Sequence, residues 1–138
     1  MIESTQQAVA IVADAHRTEA ERERAIHYLE ANPSPEATEA LISTLETDDY
    51  GVRWAAGKAL AHMGEPALPP LLHALINRSD SPRLRKGAYQ VLHENTSPWI
   101  QDHSRDLLNV LRGRWSEIDT MRAAQQLLAT LESAQSAS

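Results

Sequence analysis

The 138-residue chain contains no cysteine, no phenylalanine, three tryptophans, three tyrosines and only five glycines. Without cysteine there is no disulfide frame, no thiol nucleophile and no thiolate metal site. Poverty in aromatic and β-branched residues, with five valines, argues against a sheet protein. No apolar run approaches the ~18 residues of a membrane span. The opening Met1-Ile2-Glu3-Ser4 lacks the basic flank and apolar stretch of a signal peptide. These absences lead us to expect a cytoplasmic protein without disulfides, membrane spans or cofactors. Positive charge is also scarce: 13 Lys and Arg stand against 19 Asp and Glu, a formal charge of −6. That balance disfavours nucleic acid as a partner, because such binders neutralise phosphates with basic side chains.

What the chain has in abundance is Ala, 21 residues, and Leu, 16 residues. Both are strong helix formers, so an all-helical fold is expected. Charge is divided unevenly along the sequence. Residues 1–69 carry five basic and twelve acidic side chains, whereas residues 70–138 carry eight and seven. Solvated helix faces account for this simply, and a bipolar surface that orients a partner is the functional alternative.

The clearest internal pattern is Val52, Ala55, Ala56, Ala59, Leu60 and Met63, the spacing of one helical stripe. Thirty-two residues later Leu84, Arg85, Ala88 and Leu92 repeat Val52, Arg53, Ala56 and Leu60. Thirty-one residues earlier Arg22, Ala25 and Leu29 do the same, and Ala124 and Leu128 echo Ala56 and Leu60 near the end. A second helix type alternates with the first. Pro35 precedes Leu41, Ile42 and Leu45; Pro66 precedes Leu71, Leu72 and Leu75; Pro98 precedes Leu107, Leu108 and Leu111. Proline suits a helix start, where the first N–H groups have no intrahelical acceptor to lose. The spacing predicts helices near 3–15, 18–31, 35–46, 49–63, 66–77, 82–94, 98–112 and 115–132. Thr18 with Glu21 reads as a capping box, Asp48 or Asp49 as a cap, and Gly64 and Gly113 as left-handed helix ends. One domain over 1–132, followed by a frayed polar tail at 133–138, is expected.

The run Asp49-Tyr50-Gly51-Val52-Arg53-Trp54-Ala55-Ala56-Gly57-Lys58-Ala59-Leu60-Ala61-His62-Met63-Gly64, followed by Leu71 and Leu72, resembles a HEAT repeat. The stretch from Ser81 to Leu111 is a partial copy, with Ser81 in place of the Asp. The resemblance covers residues 18–131 and implies an all-α superhelix of about four helical hairpins, in which stacked units bury one another's apolar seams. It also implies an inter-repeat ladder in which Arg53 joins Asp49 or a neighbouring Asp, and Arg85 joins Asp80 or Asp49.

Nothing marks the chain as an enzyme. His16, His27, His62, His73, His93 and His103 include no zinc-type pair, no Ser lies in a Gly-x-Ser-x-Gly turn, and no glycine-rich phosphate loop occurs. The HEAT resemblance therefore implies a non-catalytic scaffold, a monomer or weak homo-oligomer, that binds another protein or peptide on a concave face. Glu39, Ser43, His73, Arg105, Asn109 and Arg112 are the expected contact residues. Two other classes remain open by the same resemblance. One is a bilin-handling protein like the phycobilin lyases; a shifted visible band on incubation with bilin would single it out. The other is a DNA-binding HEAT-like protein using Arg78, Arg83, Arg85 and Lys86, or Arg105, Arg112 and Arg114; a salt-sensitive gel shift would single it out. Trp54 lies beside the apolar seam, and Trp99 and Trp115 lie near helix starts. Each is read either as packing over a helix end or as an anchor for a partner.

Overall fold

A computed structural model describes residues 1–113 and 117–136. Arg114 and Trp115, on which the sequence placed a basic cluster and an aromatic anchor, lie outside the described residues, as do residues 137 and 138. Among the described residues the regular structure is entirely helical: α1 (Thr5–Ala13), α2 (Glu19–Ala31), α3 (Pro35–Thr44), α4 (Tyr50–Met63), α5 (Leu68–Asn77), α6 (Pro82–His93), α7 (Pro98–His103), α8 (Arg105–Arg112) and α9 (Glu117–Ser136). A single 3-10 turn, Glu65–Ala67, leads into α5.

The starts of these helices follow from their caps. Ser4, Ser34, Asp49, Ser81 and Ser97 each accept a hydrogen bond from a backbone N–H of the first turn. Thr18 and Glu21 close the expected capping box, with bonds of 3.1 and 3.2 Å. Pro35, Pro82 and Pro98 occupy first helical positions. Gly64 ends α4 with φ +74°, a conformation open to glycine because it lacks Cβ. Gly113 differs from expectation: it ends α8 with φ −90°, in extended rather than left-handed backbone.

The helices pack in two rows. One row runs α2, α4, α6, α8; the other runs α1, α3, α5, α9. Neighbours in a row touch, and pairs such as α1–α2, α3–α4 and α8–α9 join the rows. This is the stacking of an α-solenoid, and the apolar seams meet in one cluster extending from Ala8 to Leu131. Small residues keep the seams close. A Cβ on Gly87 of α6 would come within 3.1 Å of the Leu45 side chain at the end of α3.

The last third of the chain departs from the simple alternation. The helix expected over 98–112 breaks at Ser104, whose φ and ψ are −95° and 4°. Neither proline nor glycine marks the break. Ile100, Ser104, Leu107, Leu108 and Leu111 keep one helical stripe, so the sequence reads through it. The bend turns α8 onto α6 and leaves the place beside α5 to α9. α9 continues through residues 133–136, with Ala134 and Gln135 at its exposed end. Ser104 is fully buried and its Oγ has no hydrogen-bond partner. Removing an unpaired buried hydroxyl is favourable, so Ser104→Ala should raise stability by about 0.5–1.5 kcal/mol in urea denaturation. A loss of similar size would show that the hydroxyl is bonded.

Candidate interaction site

The sequence repeats an arginine at Arg22, Arg53 and Arg85, and the structure shows what each holds. Arg22 on α2 is only 5% exposed. Its Nε and Nη2 donate to the Val12 carbonyl at 3.1 and 2.9 Å, and Nη2 also donates to Thr47 Oγ1 at 2.8 Å. Arg53 Nη1 donates to the carbonyls of Thr47 and Asp48 at 2.8 and 2.9 Å. Its expected partner Asp49 instead caps α4 through Val52 N–H. Arg85 Nη2 reaches the Val110 carbonyl at 3.4 Å, whereas Asp80 lies exposed and no bond joins the two. Arg53 and Arg85 therefore donate to main-chain carbonyls rather than to the aspartates expected of them, and Arg22 adds the Thr47 hydroxyl to a carbonyl. The acid–base rungs lie elsewhere. Glu46 takes Ser81 Oγ at 2.8 Å and Arg78 Nη1 at 2.5 Å, and Asp48 takes Arg83 Nη1 at 2.6 Å. The turn at 46–48 thus fastens the first, second and third repeats together.

Charge around this turn is read in its carboxylates. Arg83 holds the Asp48 carboxyl below its ordinary range by a hydrogen bond and by its charge. Glu19 is raised instead, first by the nearby Asp49 carboxylate and then by partial desolvation. Asp49→Asn should keep the α4 cap, since Asn caps as well as Asp, and return Glu19 toward ordinary carboxylate behaviour. NMR titration of the Glu19 side chain reads this; an unmoved midpoint would assign the shift to desolvation and to the neighbouring Glu23.

Beside the turn a groove of about 420 Å³ opens between α4 and α6. Leu45, Pro82 and Gly87 contribute its apolar surface, and Tyr50, Arg53, Trp54, Arg83 and Lys86 also line it. Tyr50 is 72% and Trp54 46% exposed, large apolar surface left in water. Cations accompany both rings: the Arg53 guanidinium sits 5.6 Å from the Tyr50 centroid and Lys58 Nζ 5.0 Å from that of Trp54. Gln90 of α6 donates to the Trp54 carbonyl at 3.1 Å and ties the two walls together. The basic residues of this groove were legible singly; their meeting with Tyr50 and Trp54 was not, because it depends on the α4–α6 register.

The six expected contact residues are all exposed but do not share one surface. Glu39 and Ser43 on α3 and His73 on α5 belong to one row. Arg105, Asn109 and Arg112 lie on α8, which the break at Ser104 has moved into the other row. There Arg112 lies 6.0 Å from the Tyr89 ring of α6. Trp99 and Tyr89 are engaged locally, Trp99 stacking on His103 at 4.2 Å and Tyr89 on His93 at 5.5 Å. His62 Nδ1 lies 3.0 Å from Glu30 Oε1. Among the described residues no group of three His, Asp or Glu is placed to hold a metal ion, and no helix is long and apolar enough to cross a membrane.

Comparison with known proteins agrees with this geometry. A family model described as HEAT repeats matches residues 6–93, more than half of the chain and the span from α1 to α6. The match stops where the regular stacking gives way to α7. No curated protein and no solved structure matches the chain.

Proposed function

The chain belongs to the HEAT-repeat family, and from that premise we propose that it is a non-catalytic cytoplasmic adaptor docking a partner protein on the α4–α6 groove. HEAT repeats are generally protein-interaction scaffolds. The observation that carries the choice of surface is the pair of exposed rings, Tyr50 and Trp54, set in a groove with cations around it. Exposed Tyr and Trp are the residues from which interfaces draw most of their energy. Water-facing aromatic surface of this kind has little use to an isolated chain, and α4 is already well packed through its other face, where Val52, Ala56, Ala59 and Leu60 are buried. Arg105 and Arg112 lie on α8, which stacks on α6 in the same row. Glu39, Ser43 and His73 lie on the opposite row, on α3 and α5, away from the proposed groove.

Affinity capture from the native cell, with three forms of the chain compared, tests the reading. The partner retained by wild type should be lost with Trp54→Ala combined with Lys86→Glu, and kept with His73→Glu. Both variants change exposed side chains, so their melting temperatures should match that of wild type. Loss with His73→Glu alone would move the interface to the α3–α5 surface.

A further inference from the structure

Resting on the adaptor reading, we infer that the α4–α6 groove takes a short acidic peptide segment of the partner, with one aromatic or aliphatic anchor. Three features of the groove carry this. Arg53 is fixed by two main-chain carbonyls, which orient its guanidinium without cancelling its charge. Lys86 stands exposed on the α6 wall and forms no ion pair among the described residues. Between them lies an apolar floor of Leu45, Pro82 and Gly87, open because Gly87 has no side chain to fill it. The volume of about 420 Å³ lies within the range of about 300–1,000 Å³ typical of ligand sites. An apolar side chain lying on that floor, against Tyr50 and Trp54, would leave flanking carboxylates facing Arg53 and Lys86.

The positive patch is short. Asp48 and Asp49 stand at one end of α4, and Glu23 lies on the far side of Trp54, where both line the neighbouring groove between α2 and α4. A nucleic acid strand continuing past the patch would meet these carboxylates with its phosphates, while a peptide with two or three acidic residues ends before them. The net charge of −6 acts in the same direction.

A displayed library of random dodecapeptides, selected on the full chain, is the probe. Enriched sequences should share Asp or Glu beside an aromatic or aliphatic residue. The best of them, measured by fluorescence anisotropy, should bind Lys86→Glu about tenfold more weakly and Trp54→Ala tenfold or more weakly, with affinity falling as salt rises. Enriched peptides that are neutral or basic, or whose binding ignores both variants, would overturn the inference. So would no enrichment at all, while capture of the native partner would still decide the adaptor reading. Equal or tighter binding of a twelve-residue oligothymidylate would give the groove to nucleic acid and overturn it too. Self-association in sedimentation velocity that Lys86→Glu abolishes would give the groove to a second copy, through its acidic N-terminal half, with the same consequence.

Discussion

Replacing Leu60 with Ala is expected to lower the unfolding free energy by about 3–5 kcal/mol, the scale of a buried leucine truncated in a core that cannot collapse. Leu60 is fully buried on α4. That helix packs against α2 and α6 within its row and against α3 across it, so three neighbours would have to move together to close the cavity. A movement that relieved one contact would strain another, because the helices are tied at their ends by the 46–48 turn. Urea denaturation followed by circular dichroism measures the loss as a fall in midpoint at constant slope. Leu108, half-buried on α8, offers the comparison: its truncation should cost about 1–2 kcal/mol, because fewer methylenes leave the core. Equal losses at the two positions would contradict the account of where the core lies.

Arg22→Ala should cost about 2–4 kcal/mol, the largest expected effect of any polar substitution in the chain. One side chain here serves two segments. Its guanidinium takes the Val12 carbonyl with two nitrogens at the end of α1 and the Thr47 hydroxyl with one of them. Truncation leaves the carbonyl without this donor pair and opens the space filled by the long stem. Arg22→Lys should recover less than half of the loss, because a single ammonium cannot make the forked contact to one oxygen while holding a second. Full recovery by Lys would show that charge alone matters at this position. Hydrogen exchange adds a local reading: amides of α1 should lose protection first in Arg22→Ala, since that helix depends on the rung for its attachment.

The sequence made the regular part of the fold legible because two periods coincide there. The helical stripe from Val52 to Met63 and its echoes at Arg22, Ala25, Leu29 and at Leu84, Ala88, Leu92 specify both the helices and their stacking. The placement of α8 and α9 was hidden for the opposite reason: apolar positions from Ile100 to Leu111 keep their spacing straight through the bend at Ser104. The arginines were visible as repeat positions, but their partners were not, since a carbonyl oxygen carries no sequence signature. Nothing in the sequence singles out Glu46, whose ion pair with Arg78 and hydrogen bond from Ser81 depend on contacts between loops more than thirty residues apart. Ser81 in place of the family's Asp is instructive: its hydroxyl caps α6 by accepting from Leu84 N–H and donates to Glu46, a second task no carboxylate could perform. The candidate site itself was half readable. Trp54 stood out as lying beside the seam, whereas its company of Tyr50, Arg53 and Lys86 became visible only with α4 and α6 side by side.

The most direct test of the adaptor reading is site-specific photo-crosslinking in the native cell. A benzoylphenylalanine in place of Tyr50 keeps an aromatic ring at the mouth of the α4–α6 groove, and the same group in place of His73 reports on the opposite row. The account expects one discrete crosslinked protein from position 50, reduced when Lys86→Glu is added, and none from position 73. A crosslinked protein from position 73 with nothing from position 50 would contradict it.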